Sequence, residues 1–398
     1  MTQGMNKKVL ALLGLGHLMV DLNTGALPAL LPFLKNAFGL SYTMTSTLIL
    51  VANMSSSLIQ PVFGHLSDRS ARTWLLPFGV ITATCGIATV GLAPNFAGIL
   101  LLIFISGLGI ASYHPEAYKT AYLATGDKKA TGISLFSVGG NIGYGLGPLV
   151  VVFCLTMFGQ RGLLLLWAPG LLVGALFLWS LPWLSRHNAV TAVHTGPTGA
   201  RAPHALAIVL GIVTLGACVQ SGMVTYVPLY LAARGEGAVL VGSLLSLFLI
   251  SGAAGTLVAG PLSDRIGHKR FLTLSMSVVC PLIVAFLHAS GPMSIVLLAV
   301  IGMFLSPTFS VTLVIAQSLM RGRLGATAGL MTGLGIGAGG LGVTALGKVA
   351  DVWGVETSML IISILPILPW GLVLLLPSGV TAHEAPQGNL QMATAESD

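Results

Sequence analysis

Asp21 follows His17 by four residues inside an apolar run that begins near Val9. Four residues is about one helical turn, so the two side chains share a face. At 1.5 Å per residue Asp21 lies roughly 20 Å along that helix. A carboxylate buried there, with an imidazole to share its proton, is placed for reversible proton uptake near neutral pH. Asp21 is the expected proton carrier and His17 its partner; the plainer reading is that the pair only stitches its helix to a neighbour. A second cluster, His114-Pro115-Glu116, lies in a later run. Pro115 removes one helical N–H and permits a bend. His114 and Glu116 are two apart and face different sides. Lys119 stands three residues beyond Glu116, so Glu116 is either neutralised in an ion pair or joins proton relay or gating, ranking below Asp21.

Composition sets the surroundings of these groups. Of 398 residues 55% are hydrophobic and 7% charged, against roughly a quarter charged in an ordinary soluble domain. So few charges leave lipid as the solvent for most of the surface. Runs long enough for a bilayer, about 20 residues each, begin near Val9, Met44, Trp74, Ala97, Thr131, Leu163, Ala205, Val239, Phe271, Met293, Ala326 and Thr357. Only helices satisfy their own backbone in lipid without closing into a barrel, and barrel-type alternation is lacking. The expected fold is an all-α integral membrane protein with about twelve transmembrane helices. Lys7 and Lys8 precede the first run in the manner of a signal peptide, but that run continues past Pro32 without a small-residue cleavage site and is expected to be retained.

The chain repeats itself. Gly64-His65-Leu66-Ser67-Asp68-Arg69 follows the second run and Gly260-Pro261-Leu262-Ser263-Asp264-Arg265 the eighth, an offset of 196 residues, and Ala130-Thr131 recurs at the same offset as Ala326-Thr327. This is an internal duplication. Residues 1–184 and 204–376 are expected to form two six-helix bundles, joined by a polar cytoplasmic linker over 185–203 and followed by a disordered tail over 377–398. The glycines Gly64 and Gly260 are expected to let helices approach closely. The acids Asp68 and Asp264, with Arg69 and Arg265, are expected to meet helix N-termini or neighbouring charges at the membrane surface. With the N-terminus inside, fourteen of the 18 Lys+Arg fall on the inner side, and Lys35, Arg161, Arg234 and Lys348 on the outer. That asymmetry places both termini in the cytoplasm of a multi-pass inner-membrane protein.

Six-plus-six spans with a G-x-L-x-D-R loop after the second span of each half resemble the major facilitator superfamily. A narrower resemblance rests on His17-Leu18-Met19-Val20-Asp21, Ser56-Ser57-Leu58-Ile59-Gln60-Pro61-Val62, His114-Pro115-Glu116, Val138-Gly139-Gly140-Asn141 with Gly147-Pro148-Leu149, Ala316-Gln317 and Gly339-Gly340-Leu341-Gly342. These look like the fosmidomycin-resistance branch, with departures at Val20, Ser137 and Ser318. The resemblance implies two bundles rocking about a central cavity and an exporter of small organic or drug-like compounds, often anionic or amphiphilic, coupled to proton entry. It also implies that His114, Gln60, Asn141, Gln220, Tyr226, Tyr230 and Gln317 lie near the cavity as substrate-binding candidates, although each is equally read as an interhelical hydrogen bond.

No Ser/His/Asp set, metalloprotease motif or metal-ligand spacing is present, and Cys85, Cys154, Cys218 and Cys280 read as small core residues. No enzyme, metal or cofactor is expected. The Gly-rich stretches Gly139–Gly147 and Gly333–Gly342 lack the strand and the Gly-Lys-Ser/Thr of a nucleotide loop, and they read as contacts between the halves. Energy then comes from an ion gradient or the substrate's own gradient. The expected partners are a small-molecule substrate, protons and the lipid bilayer, with no nucleic acid, and the chain is expected to act as a monomer. Proton-coupled antiport out of the cell is the first reading; a uniporter or a proton-linked importer of a small organic anion or metabolite is the alternative.

Overall fold

The computed structural model describes residues 5–69, 73–125, 129–188, 203–320 and 324–377. Most of the linker and nearly all of the tail lie outside these residues. Among the described residues twelve helices are long and apolar enough to cross a membrane: Lys7–Phe38, Tyr42–Ser67, Leu75–Leu92, Phe96–Ala121, Leu135–Phe158, Gln160–Leu184, His204–Ala233, Ala238–Ser263, His268–His288, Pro292–Ala316, Gly333–Trp353 and Val355–Leu375. In chain order they are spans one to twelve. Helix ends are set by local chemistry. The Asn6 side chain caps span one by accepting the Val9 N–H at 3.2 Å, and Gly39, in the left-handed region at φ 59°, stops the helix at its other end. Ser41 then caps span two by accepting the Met44 N–H at 3.1 Å.

The spans form two six-helix bundles, each with its own tight pairs: one with five and three with four in the first, seven with eleven and eight with ten in the second. Across the bundles, span two packs on eleven and span five on eight. The apolar cores reveal the shape. On the far side, away from the termini, one core joins both halves, from Leu30, Leu31 and Leu48 to Tyr226, Leu245 and Phe248. Towards the termini the core divides into one cluster around Leu10, Tyr113 and Phe136 and another around Val209, Leu272 and Ile315. The molecule is therefore shut on its far side and parted on the side of its termini.

The Gly-rich stretches do not all join the halves. A Cβ on Gly139, Gly143 or Gly147 would run into the backbone of span one at Gly14, Leu18 and Leu22, within the first bundle. Gly145, on another face of the same helix, meets Ile250 of span eight. Likewise Gly339 and Gly342 pack against Ser221 and Cys218 of span seven, while Gly340 faces Leu50 and Asn53 of span two. Small residues on several faces let one helix pack closely inside its bundle and across to the other. The close approach expected at Gly64 and Gly260 is not found: a Cβ at Gly64 would meet only Pro115 Cβ at 3.9 Å, and one at Gly260 nothing within 4 Å. Both lie on the parted side, where the halves have separated.

Candidate functional site

Span one presents His17 and Asp21 one turn apart, and span four brings His114 to the same carboxylate. His17 Nε2 lies 3.2 Å from Asp21 Oδ2, and His114 Nε2 lies 3.3 Å from Asp21 Oδ1. The other nitrogen of each ring faces a backbone carbonyl: His17 Nδ1 stands 3.2 Å from Phe136 O and His114 Nδ1 2.9 Å from Ile110 O. Carbonyl oxygens only accept, so each Nδ1 carries its hydrogen. A neutral ring would then aim a bare Nε2 lone pair at a carboxylate oxygen. Both contacts are hydrogen bonds only if two further protons are held among the three side chains. The rings are fixed by aromatic packing, with His17 stacked on Phe136 at 4.3 Å and His17 edge-on to His114 at 5.2 Å between centroids. Gly140 of span five leaves the room they need, since a Cβ there would come within 2.5 Å of the His17 ring and 2.7 Å of Asp21 Oδ2. These three residues also place one potential ligand atom each within 4.8 Å of one another, a juxtaposition no sequence spacing announces; the imidazole–carboxylate contacts already occupy those atoms.

Glu116 points elsewhere, as its spacing from His114 requires. It is fully buried and accepts the Ser67 hydroxyl at 2.5 Å, with Thr120 Oγ1 at 3.5 Å. Lys119 donates to the Ser67 carbonyl and lies 3.5 Å from Ser67 Oγ. Ser67, within the first copy of the duplicated loop, thus links the acid and the base of span four to the end of span two. In the second copy the Ser263 hydroxyl turns back to Gly260 O at 2.9 Å, and the positions 196 residues beyond Glu116 and Lys119 are Thr312 and Ile315. The matching positions of the second half thus carry neither the acid nor the base. The side chains of Asp68, Arg69, Asp264 and Gln317 lie outside the described residues.

A cavity of about 100 Å³ sits between the halves, one turn beyond Asp21, lined from spans one to five and seven. Ile110 ties it to the cluster: its side chain lines the cavity and its carbonyl faces the His114 ring. Of the expected substrate-binding residues Gln220 lines it, whereas Gln60, His114 and Asn141 do not. Tyr226 and Tyr230 are corrected outright. Tyr226 is fully buried and donates to Val343 O at 2.8 Å; Tyr230 is buried, donates to Leu287 O at 3.3 Å and accepts from Arg234 at 2.7 Å. Their hydroxyls tie span seven to spans eleven and nine. The residues that line the cavity beyond those expected include Asn23, Asn53, Ser56, Tyr144 and Thr225. Asn53 precedes and Ser56 lies within the π-helical turn Met54–Leu58, which widens span two at the cavity wall. No local signal separates them from ordinary polar residues within a helix.

The sequence model of the Major Facilitator Superfamily matches residues 13–343. The chain is 32% identical over 388 residues, 94% of each chain, to the uncharacterized MFS-type transporter YfnC of Bacillus subtilis (strain 168). It is 30% identical over 368 residues, 90% of each chain, to the fosmidomycin resistance protein of Escherichia coli (strain K12). Among solved structures, a bacterial homologue of the human lysosomal transporter Spinster, in an inward-facing and occupied conformation, matches with a TM-score of 0.79 at 16% identity, covering 97% of this chain and 100% of that one. The nucleoside transporter NupG matches with a TM-score of 0.71 at 16% identity, covering 92% and 98%. The chain is a multi-pass membrane transporter and not an enzyme: it belongs to the major facilitator superfamily, in its fosmidomycin-resistance branch.

Proposed function

We propose that this transporter is a proton-coupled antiporter that exports a small organic or drug-like compound across the cytoplasmic membrane by alternating access. Asp21 carries the coupling proton, with His17 and His114 sharing it. The observation that carries this reading is the pair of imidazole–carboxylate contacts, each of which needs its own proton. Loss of the proton held between His114 and Asp21 turns that hydrogen bond into an opposition of lone pairs between spans one and four. The arrangement of the two spans then depends on proton occupancy, which is what coupling requires. Ile110 passes that dependence to the cavity wall. Export, in preference to uptake, is supported by the relative whose name records resistance to fosmidomycin. The excess of Lys and Arg on the side of the termini supports a cytoplasmic location for both ends, and in that orientation the parted side of the structure faces inward. The two bundles act as domains, and one copy of the chain carries a complete cluster and cavity.

The test uses everted membrane vesicles from cells expressing the full chain, in which an imposed pH gradient drives uptake of an exported compound identified by a growth-inhibition panel. Wild type accumulates the compound and releases protons in exchange. Asp21→Asn is inserted at normal abundance and does neither. Equal, gradient-independent movement in wild type and Asp21→Asn would establish a uniporter instead.

A further inference from the structure

We infer that His17, Asp21 and His114 form a site for a divalent transition-metal ion of the Zn²⁺ class, which enters in place of the two protons their contacts require and blocks the transporter. The site itself does not rest on the coupling role proposed for Asp21; the block does. The three side chains place one ligand atom each within 4.8 Å of one another, and the two nitrogen–oxygen contacts are 3.2 and 3.3 Å. Four-coordinate Zn²⁺ with bonds of about 2.0–2.2 Å holds neighbouring ligand atoms about 3.3 Å apart. The three atoms therefore need to close by no more than about 1.5 Å to share one ion.

The rings are set for a metal by the groups behind them. Imidazole binds a metal through a bare nitrogen while its other N–H is held by an oxygen acceptor, which fixes the tautomer and the direction of the lone pair. Here Nδ1 of His17 donates to Phe136 O at 3.2 Å and Nδ1 of His114 to Ile110 O at 2.9 Å, so both Nε2 lone pairs point at the same carboxylate. Charge balances as well. With two neutral rings and an ionised Asp21 the cluster carries −1; two protons bring it to +1, and one divalent cation in their place gives the same +1. The exchange adds no net charge to a part of the protein where charge is costly. An ion can reach the cluster, because Asp21 and His114 keep 20% and 17% of their side-chain surface accessible. Two imidazoles and one carboxylate suit Zn²⁺ or Co²⁺, whereas Mg²⁺ and Ca²⁺ take oxygen ligands and gain little here. Three protein ligands leave a fourth position for water. An ion so held ties span one to span four and takes the carboxylate that the coupling proton would use.

The test uses the purified full chain in lipid nanodiscs, free of any polyhistidine tag, titrated with Co²⁺ and then Zn²⁺ without substrate or gradient. Wild type is expected to bind a single Co²⁺ with the intense visible absorption of a four-coordinate ion. Zn²⁺ should displace it and raise the unfolding midpoint, and Mg²⁺ and Ca²⁺ should do neither. His17→Gln and His114→Gln each remove one ligand and are expected to weaken Co²⁺ binding at least about tenfold. The unfolding midpoint of each variant without metal shows whether it is folded, and either one decides the matter if the other is not. No absorption in wild type, the weak absorption of a six-coordinate ion, or unchanged binding in a folded variant would overturn the site. In everted vesicles, saturating Zn²⁺ is expected to stop gradient-driven exchange by wild type and to spare the slow transport of His17→Gln. Binding that needs both rings, with wild-type transport unaffected, would uphold the site and count against the coupling role of Asp21 instead.

Discussion

Asp351, near the far end of span eleven, accepts the backbone N–H of Thr43 at 3.0 Å and the Thr43 hydroxyl at 2.5 Å, and also takes the Tyr42 N–H at 2.5 Å. Those N–H groups begin span two and have no intrahelical acceptor. A carboxylate is favoured at a helix start by the unpaired N–H groups and by the helix dipole. The contact crosses between bundles, on the side that is shut. Two neighbouring contacts support it, since a Cβ on Gly347 would strike Ser46 and the backbone of Thr43.

Asp351→Ala is therefore expected to shift the molecule towards opening on its far side. The group is exposed, so solvent screening reduces the contribution to about 1 kcal/mol, or roughly a fivefold change in the open population. With the four native cysteines replaced by serine, Ser46→Cys should react about fivefold faster with a membrane-impermeant thiol reagent applied to the far side. An unchanged rate would mean that the apolar core shared by both halves holds this side shut alone.

Gly140 and Gly333 make a paired test of whether small residues are needed for space or merely occur in spans. Gly140→Ala forces a methyl group against the His17 ring and Asp21, whereas Gly333→Ala meets nothing within 4 Å. Overpacking of this kind costs about 1–3 kcal/mol. Transport by Gly140→Ala should fall at least tenfold with only a modest drop in unfolding midpoint, and Gly333→Ala should match wild type or be slightly more stable. Full activity in Gly140→Ala would show that the His17–Asp21 geometry is not needed for transport.

How far the sequence reaches depends on the range of the interaction. The twelve spans are legible because hydropathy and helix length are local properties, and the duplication is legible because its two loops repeat six-residue patterns. His17 and Asp21 can be paired because one helical turn fixes their relation. His114 cannot be assigned to the same carboxylate, since that depends on how span four is rotated against span one. Tyr226 and Tyr230 mislead for a related reason: a spacing of four places both on one face without saying which neighbour it meets, and here the neighbours are spans eleven and nine. Asn23 does carry a sequence signal, an amide two residues beyond Asp21 within an apolar run, but nothing local shows that it lines the cavity.

Ser67 separates a structural role for Glu116 from a proton-carrying one. Removing its hydroxyl in Ser67→Ala takes a hydrogen bond from a fully buried acid, which costs about 1–3 kcal/mol. The unfolding midpoint should drop by several degrees, while the pH dependence of transport keeps its shape. Glu116→Gln retains an acceptor for Ser67 and should keep pH-dependent transport at a reduced rate. If Glu116→Gln abolished pH dependence as completely as Asp21→Asn, Glu116 would have to be placed on the proton path.

His114 offers the sharpest contrast with His17, because the two rings touch opposite oxygens of the same carboxylate from different helices. Imidazole is the group that changes charge between about pH 5 and 8, and the pH dependence of transport in that window is expected to rest on the imidazole–Asp21 contact that joins spans one and four. His17 shares a helix with Asp21, and its loss removes a contact within span one. Loss of His114 removes the cluster's direct hydrogen bond between spans one and four. His17→Gln is therefore expected to slow transport about threefold to tenfold while leaving a sloping pH profile. His114→Gln should flatten the profile and uncouple proton release from substrate movement, even where substrate still binds. Simultaneous recording of proton release and labelled substrate in the same vesicles checks both outcomes, and a flat profile in His17→Gln with a sloping one in His114→Gln would reverse the roles of the two rings.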